Sequence, residues 1–179
     1  MKKEETMKRK SIDIRELQLK SFNVWENEWF LLTAGDLEKG DFNTMTVAWG
    51  SLGSMWSKPF AQVVVRPSRH TLGFMDKYDS FTLCRFPKKY KKALAYLGST
   101  SGRDVADKHI VAGLTPIAVP GVSAPGFEEA DLIIACKKNY WQDMDETHFI
   151  DKSIITKYPG ETDFHRIYFG EIVSVSDTP

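Results

Sequence analysis

Hydrophobic residues along the chain occur mostly in short runs that predict β-strands. The run Phe60–Val65 is apolar at almost every position, which is typical of a strand buried on both faces. His165–Val175 alternates instead, because Ile167 and Phe169 fall on one face and Tyr168 falls on the other. Turn residues and apolar content predict further strands over Trp29–Ala34, Met45–Leu52, Ser80–Phe86 and Phe127–Lys137.

Helical spacing of apolar residues is visible in three short segments. Thr71–Tyr78 has room for two turns, and Lys88–Leu97 places its apolar residues on one stripe with its lysines outside. Gly102–Ala112 has similar spacing and is followed by Gly113, a candidate C-cap. Strand and helix signals alternate too irregularly for a doubly wound sheet. We therefore predict a mainly β protein with short helices, built as a barrel or a strongly bent sheet.

Length and charge indicate an ordinary globular domain. The chain has 179 residues, of which 42% are hydrophobic, enough for about one domain with its own core. Lysines and arginines number 24 and acidic residues also 24, so no net charge draws the protein to nucleic acid or to an anionic membrane. No apolar run approaches the ~20 residues that span a bilayer, and no secretory signal is visible. We expect a cytoplasmic protein.

The first residues and the cysteines lead to two further expectations. Residues 1–11 are rich in charge, and we predict a flexible basic tail before a single domain over residues 12–179, with an RNA-binding arm as the alternative for the tail. Cys84 and Cys136 lie in strand-like runs without a CxxC pair. Buried thiols are therefore expected rather than a disulfide, a zinc site or a nucleophile. No histidine lies at metal-ligand spacing, and we predict no metal.

The segment Val63–Thr71 carries the most informative polar residues. A buried strand ends at Arg66, Pro67 stops it, and Ser68 and Arg69 come just before a predicted helix. Free N–H groups at a helix start and two guanidinium groups could together bind a phosphate. Alternatively, Ser68 only caps the helix and both arginines pair with surface acids.

A second polar segment, Gly98–Asp104, links the second predicted helix to the third. Its glycines allow a close approach of the backbone, its hydroxyls can donate hydrogen bonds, and Arg103 and Lys108 add charge. It has neither the GK[ST] ending of a P-loop nor the GxGxxG pattern of a dinucleotide-binding turn. An ordinary capped loop would explain this segment alone. Together with the arginine segment, it favours a shared anion site.

A third segment, Phe42–Gly50, places amide and hydroxyl groups where a loop becomes a strand. Asn43, Thr44 and Thr46 supply these groups. Trp49 lies next to a glycine, and a planar heterocycle could lie against such a ring and bare backbone. The simpler interpretation is a strand whose tryptophan belongs to the core.

Taken in this order, the segments resemble the flavin reductase-like family of FMN-binding split barrels. The likeness runs from about Ile12 to about Val175. It implies a six-stranded Greek-key split barrel, a homodimer, and FMN bound near the dimer interface. The motifs that carry it are Trp29–Gly35, Phe42–Thr46, Trp49-Gly50, Val65–Thr71, Ser101–Asp104, Ala112–Pro116 and His165–Ile172.

The resemblance also implies roles for individual residues. The third segment would line the flavin, the arginine segment would hold its phosphate and ribityl chain, and the glycine-containing segment would close the site. His165 matches a histidine that some members hold near the flavin or the nicotinamide, where a cationic or hydrogen-bonding imidazole could stabilise charge on reduced flavin. A strand-end histidine without a function is the alternative. The cofactor-binding residues predicted in this way are Asn43, Thr44, Met45, Thr46, Trp49, Arg66, Ser68, Arg69, Thr71, Ser101, Gly102, Arg103 and Lys108.

Three functions remain open at this point. The leading hypothesis is an NAD(P)H-dependent oxidoreductase that transfers hydride between NADH or NADPH and FMN, with a redox partner protein or a monooxygenase as a candidate acceptor. The alternative is a non-enzymatic FMN electron carrier of the flavoredoxin type that receives electrons from a partner protein. A barrel that binds a phosphate ligand or haem without a redox role is the third. The sequence has no separate nicotinamide motif that would decide between the first two.

Overall fold

The computed structural model describes residues 9–178, which fold mainly as antiparallel β-structure with short helices. None of the helices in this part of the chain is long and apolar enough to cross a membrane. The strands are β1 (Lys10–Ile12), β2 (Phe30–Asp36), β3 (Asp41–Val47), β4 (Gly50–Met55), β5 (Lys58–Val65), β6 (Ser80–Arg85), β7 (Pro116–Ile117), β8 (Gly126–Phe127), β9 (Leu132–Asp143) and β10 (Arg166–Asp177). The helices are α1 (Ser21–Asn23), α2 (Thr71–Lys77), α3 (Lys91–Ser99) and α4 (Lys108–Val111), with a π-helical turn (Val24–Glu28) and short 3-10 turns (Ile14–Glu16, Lys88–Tyr90, Glu146–His148, Lys152–Lys157 and Pro159–Glu161).

The main sheet is a strongly curled one. Its strand order is β3-β2-β6-β9-β10-β5-β4, and β1 pairs with the far end of β10. The two edges, β3 and β4, are joined along the chain by Ala48 and Trp49 alone. The three Cα–Cα steps from Val47 to Gly50 span about 10 Å at full extension, so the sheet has to curl until its edges approach each other there. The result is an open barrel with its split between β3 and β4.

This sheet corrects the predicted strand count. It has eight strands and does not close, whereas the resemblance implied six. One reason is the length of β10, whose first half pairs with β5 while its second half pairs with β1. The other reason is that the predicted strand Met45–Leu52 is interrupted at Ala48 and Trp49 and belongs to two strands on opposite edges.

Two hydrophobic cores lie on the two faces of the sheet. In β2, Phe30 and Leu32 point into the curled sheet, whereas Leu31 packs on the other face with Leu94 and other residues near α3. Burial of both faces explains the continuous apolar runs in the sequence. Cys84 and Cys136 are buried free thiols, one in each core. Burial raises the pKa of Cys84 to about 12, so this thiol is a poor nucleophile.

Two of the three predicted helices form with shifted ends, as α2 and as α3 with the 3-10 turn before it. The third prediction, Gly102–Ala112, is wrong for most of its length, because only α4 is helical there. Lys108 shows why: it is buried, and its Nζ donates hydrogen bonds to the carbonyls of Leu97 at 2.9 Å and Thr100 at 2.6 Å. The chain is therefore folded back onto the end of α3 instead of continuing as a helix.

Part of the predicted N-terminal tail pairs with the main sheet. Lys10 and Ser11, which the predicted tail includes, lie in β1 opposite Asp177 and Ser176. Arg9 donates a hydrogen bond to the carbonyl of Glu128 at 3.2 Å. The rest of the predicted tail, residues 1–8, lies outside the described residues.

Candidate functional site

A continuous cleft runs along the edge strand β3 and consists of two cavities. The first, of about 420 Å³, lies between β3, the turn before α2 and the loop after α3, and we call it the basic cavity. The second, of about 350 Å³, lies where β3 leads into Trp49, beside His165, and we call it the aromatic cavity. The two cavities share Met45, Arg66 and Arg69 in their walls. Each has a size typical of a small-molecule site.

The cleft brings together almost all of the residues that the sequence predicted. Thr44 is the exception, because it faces the interior, where Thr33 donates to its hydroxyl at 3.0 Å and it donates to the carbonyl of Leu32 at 3.1 Å. Alternation along β3 turns Thr44 away from its neighbours Asn43 and Met45. The basic cavity is lined by Asn43, Ser68, Thr71, Ser101, Gly102, Arg103 and Lys108, the aromatic cavity by Thr46, Trp49 and His165, and both by Met45, Arg66 and Arg69.

The turn before α2 is held by a residue that sequence analysis did not find. Asp163 accepts hydrogen bonds from the backbone N–H of Ser68 at 2.8 Å and from its hydroxyl at 2.6 Å, and it lies 4.0 Å from Arg66. Ser68 therefore does not cap α2, whose N-cap position is His70. Asp163 has a φ of 58°, a left-handed conformation that Asp adopts more readily than most residues. Because Asp163 is 95 residues from Ser68 along the chain, no local sequence pattern indicates this contact.

The cations of the basic cavity are bonded mainly to carbonyl groups. Arg69 donates from Nη1 to the carbonyl of Gly98 at 3.0 Å, and Arg103 donates from Nη1 to that of Ser68 at 3.0 Å. Within residues 9–178, only Arg66 among the cations of this cavity has a carboxylate within 4.0 Å. Burial and the neighbouring charge of Arg69 lower the pKa of Lys108 to about 8. The cavity thus holds positive charge that a bound anion would stabilise.

Close packing fixes the wall of the basic cavity opposite the arginines. Asn43 is buried, and its Nδ2 donates to the hydroxyl of Thr71 at 2.7 Å. Gly102 lies against this pair: a Cβ placed on it would be 2.3 Å from Asn43 Oδ1 and 2.9 Å from His70 Cδ2. A side chain at this position would force the loop away from β3. Asn43 and Gly102 therefore shape the cavity more than they present groups to it.

The aromatic cavity has a neutral histidine beside an exposed tryptophan. The rings of Trp49 and His165 are 5.2 Å apart, and 54% of Trp49 is exposed, so it is not a core residue. Nδ1 of His165 lies 3.0 Å from the hydroxyl of Tyr158. Burial and the positive charge of Arg66 lower the pKa of His165 to about 4. Of the two states considered for this imidazole, the neutral, hydrogen-bonding one is favoured at neutral pH.

The long connection between β9 and β10 covers this end of the cleft. It supplies Lys157 to the aromatic cavity, and Tyr158 and Asp163 to the residues that line the cleft. Its own aromatic rings hold it together, with Tyr158 4.8 Å from Phe164 and Phe164 5.4 Å from Phe149. The sequence analysis assigned no role to this connection. Within residues 9–178, no group of three or more His, Cys, Asp and Glu side chains is arranged to hold a metal ion.

Comparison with known proteins shows the fold. No family model and no curated protein matches the sequence. Solved structures do match: an FMN-binding domain of a flavin reductases-like enzyme from Shewanella baltica is 16% identical, with a TM-score of 0.68 over 96% of this chain and 78% of that protein. Flavoredoxin of Desulfovibrio vulgaris is 21% identical, with a TM-score of 0.65 over 93% of this chain and 76% of its own.

A third match is the NADH:FAD oxidoreductase of Streptomyces globisporus, determined in complex with NAD and FAD fragments. It is 15% identical, with a TM-score of 0.63 over 84% of this chain and 74% of that protein. Identities this low establish the architecture and not the ligand. The resemblance predicted from the sequence is confirmed at that level: the chain has the fold of the flavin reductase-like split barrels and flavoredoxins.

Proposed function

We propose that the cleft binds FMN, with the phosphate in the basic cavity and the ring system in the aromatic cavity. The observation that carries the proposal is the chemical difference between the two ends. Arg103 lies at one end and Arg69 lies between the two cavities, and neither has a carboxylate partner among the described residues. Trp49 and His165 form a neutral aromatic wall at the other end. A ligand with a dianionic group and a flat ring at its two ends matches this division.

The hydrogen bonds of the cleft separate residues that would touch FMN from residues that position others. Arg69 and Arg103 have further donors for a phosphate, since a guanidinium has five N–H groups. Ser101 Oγ accepts from the N–H of Arg103 at 3.1 Å and keeps its own proton to donate. By contrast, the hydroxyl of Ser68 donates its hydrogen bond to Asp163, and Lys108 donates hydrogen bonds to two backbone carbonyls. We assign Ser68 and Lys108 to holding the turn and the loop.

His165 is the residue proposed to act on the flavin ring. An imidazole nitrogen accepts a hydrogen bond more strongly than the thioether of Met144, which lies 3.4 Å from the Tyr158 hydroxyl. We therefore propose that the Tyr158 hydroxyl donates to Nδ1 of His165, which leaves the imidazole proton on Nε2. When bound, FMN would supply the hydride chemistry, and the chain would orient it and donate hydrogen bonds to it.

The activity we propose is that of an NAD(P)H-dependent flavin oxidoreductase, which transfers hydride between NADH or NADPH and FMN. The likeness in fold to an oxidoreductase determined with NAD and FAD fragments supports it. The second candidate is a non-enzymatic electron carrier that receives electrons from a partner protein, supported by the likeness to flavoredoxin. Both candidates use the same flavin cleft.

One spectroscopic experiment separates these two functions. The purified protein is loaded with FMN and its visible spectrum is followed after NADH or NADPH is added without oxygen. The oxidoreductase predicts that the flavin bands bleach within seconds to minutes. Flavin bands that persist until a reduced protein donor is supplied would favour the carrier. Failure to bind FMN at all would contradict both.

The preference for FMN over riboflavin tests the assignment of the phosphate. Loss of charge-assisted hydrogen bonds to the phosphate costs ~1.5–3 kcal/mol, so we expect riboflavin to bind about ten- to a hundredfold more weakly than FMN. Isothermal titration of both flavins measures this ratio. Equal dissociation constants would show that the arginines do not bind a phosphate.

We also propose that two copies associate through an aromatic patch on the outer face of the sheet. In this patch Trp56 lies 6.2 Å from Phe169 and 6.3 Å from Tyr140, and about half of the Trp56 and Tyr140 surface is exposed. Exposed aromatic patches of this kind are typical of interfaces.

The variant Trp56→Asn tests this interface, because it removes the ring and keeps a residue type that tolerates the φ of 54° at this turn. Sedimentation should show a dimer for the wild type and a smaller mass for the variant; a monomeric wild type at micromolar concentration would contradict the proposal.

A further inference from the structure

A third cavity, of about 610 Å³, lies outside the flavin cleft and adjoins it. One wall consists of Leu19, Ser21, Phe22 and residues 24–26, and the other consists of residues 48–52, which join β3 to β4 and begin β4. Ala48 and Trp49 line both this cavity and the aromatic cavity, so the indole of Trp49 lies at their boundary. Its volume is within the range of small-molecule sites. Neither the proposed flavin binding nor the proposed dimer uses it.

The floor of this cavity is tightly packed and belongs to the core. Trp25 is buried, and its ring lies 5.0 Å from that of Phe30 in an edge-to-face arrangement. The same indole packs on Gly50, where a Cβ would come within 2.5 Å of Trp25 Cη2. A substitution at Gly50 would therefore disturb both Trp25 and the neighbouring backbone of Gln62. Close packing on both sides therefore fixes the position of the Trp25 indole.

The segment that forms the outer wall has an unusual backbone. Val24–Glu28 is a π-helical turn, and it ends at Trp29, which has a φ of 70° and a ψ of 156°. The N–H of Trp29 donates to the carbonyl of Val24 at 2.8 Å, and its indole N–H donates to that of Glu26 at 3.1 Å. Positive φ in a large aromatic residue is strained, and such strain and π-turns concentrate at functional sites.

The exposed groups of the cavity define the ligand that would suit it. Phe22 is 82% exposed and Trp49 is 54% exposed, so two aromatic faces are open to a ligand. Glu26 is the one ionisable residue in the wall, and within residues 9–178 its carboxylate has no hydrogen-bond or ion-pair partner. This is the reverse of the basic cavity, whose wall is rich in cations. Aromatic faces and a carboxylate both attract cations.

We propose that this third cavity is a second binding site, which takes an aromatic compound with a positive charge and no negative charge, such as a protonated aromatic amine. The aromatic part of the ligand covers Phe22 and Trp49, and the ammonium group faces Glu26. The site is separate from the flavin cleft and does not depend on the proposed flavin chemistry. A ligand bound there would lie on the other side of Trp49 from the aromatic cavity.

Three small probes of similar shape test the charge preference: benzylamine, benzyl alcohol and benzoate, titrated by NMR at neutral pH into the full-length protein. We expect benzylamine to bind about fivefold more tightly than benzyl alcohol, and benzoate to bind most weakly. Glu26→Gln should reduce the affinity for benzylamine to that for benzyl alcohol. Glu38→Gln, at another exposed glutamate in the β2–β3 turn, is the matched control and should change nothing.

Two further measurements distinguish a separate site from an extension of the flavin cleft and from a contact between two copies. Phe22→Ser removes an exposed ring, so it should leave the fold intact and weaken all three probes. Saturating FMN should leave benzylamine binding unchanged; competition by FMN would assign the cavity to the flavin cleft and overturn the proposal. Absence of benzylamine binding, or equal affinity for all probes, would also overturn it. If Phe22→Ser abolished the dimer, Phe22 would belong to the interface and a second copy would cover the cavity, which would also overturn the proposal.

Discussion

The basic cavity and the aromatic cavity share walls, but their polar groups are held in different ways. In the basic cavity, the side chains of Arg69, Arg103 and Lys108 donate hydrogen bonds to backbone carbonyls. In the aromatic cavity, burial makes His165 neutral and Tyr158 holds its ring. A bound anion would therefore stabilise the cationic groups of the basic cavity. The imidazole of the aromatic cavity is already neutral and hydrogen-bonded without a ligand. Changes in the basic cavity should therefore affect ligand affinity most, and changes in the aromatic cavity should affect protonation.

The largest effect is expected for Arg69→Ala. Removal of this guanidinium should weaken FMN binding about ten- to a hundredfold and leave riboflavin almost unchanged, because the lost contact is to the phosphate. Isothermal titration with both flavins measures the two affinities. Arg15→Ala, at an exposed arginine that lines neither cavity, is the control and should alter neither affinity. Unchanged FMN affinity in a folded Arg69→Ala protein would move the phosphate contact to Arg103.

A pair of glycine substitutions tests the packing of the basic cavity. Gly102→Ala should destabilise the fold by ~1–3 kcal/mol and weaken FMN, because the new methyl group would meet Asn43 Oδ1 and displace it from Thr71. Gly73→Ala is the matched control: nothing lies within 4 Å of its Cβ position, and the helix α2 should gain ~0.5–1 kcal/mol. Urea unfolding of both variants measures these free energies. Equal stability of the two variants would contradict the close contact at Gly102.

The aromatic cavity predicts a pH dependence of stability. The folded pKa of His165, about 4, lies below its ordinary value of 6.5, so the unfolded chain takes up the proton first as pH falls. His165 should therefore lower stability progressively from about pH 6.5 to pH 4, by about 1–2 kcal/mol when its partial exposure is allowed for. Above pH 6.5 it should have no such effect.

The matched variant for this prediction is His165→Gln, which cannot titrate in that range. Burial also lowers the pKa of His70 and His109, so the wild-type slope contains their contributions. The difference in unfolding free energy between wild type and His165→Gln isolates the residue of interest. A difference that stays constant from pH 4 to pH 7 would show that His165 titrates normally in the folded protein.

The smallest effect is expected for Tyr158→Phe. Under the proposed placement of the Tyr158 proton, the hydroxyl donates to Nδ1 and stabilises the neutral imidazole, so its removal should raise the pKa of His165 toward the ordinary range. The NMR titration of the His165 ring proton measures this shift, and the unfolding free energy should fall by about 1 kcal/mol or less. A lower pKa in the variant would mean that Tyr158 accepts a hydrogen bond from the imidazole instead.

Local patterns are sufficient to predict much of the fold and most of the site. Continuous apolar runs predict the positions of β5 and β6, because strands buried on both faces leave no polar alternation. Pro67 between Arg66 and Ser68 predicts the turn that precedes α2, since proline ends a strand. By contrast, the helix predicted over Gly102–Ala112 is wrong because apolar spacing does not reveal that Lys108 is buried. Local spacing also cannot show that Ala48 and Trp49 separate the two edges of a sheet.

The sequence by itself determined the strand-rich class, the arginine turn and the gathering of basic and hydroxyl groups in two short segments. Each of these depends on residues close to one another along the chain. Only the tertiary structure decided which of those groups are free for a ligand. Ser68 is occupied by Asp163, which is 95 residues away, and Tyr158 holds His165 from the connection before β10. Such contacts depend on where the connection between β9 and β10 packs against the barrel. That position is determined by packing of the whole molecule rather than by any local pattern.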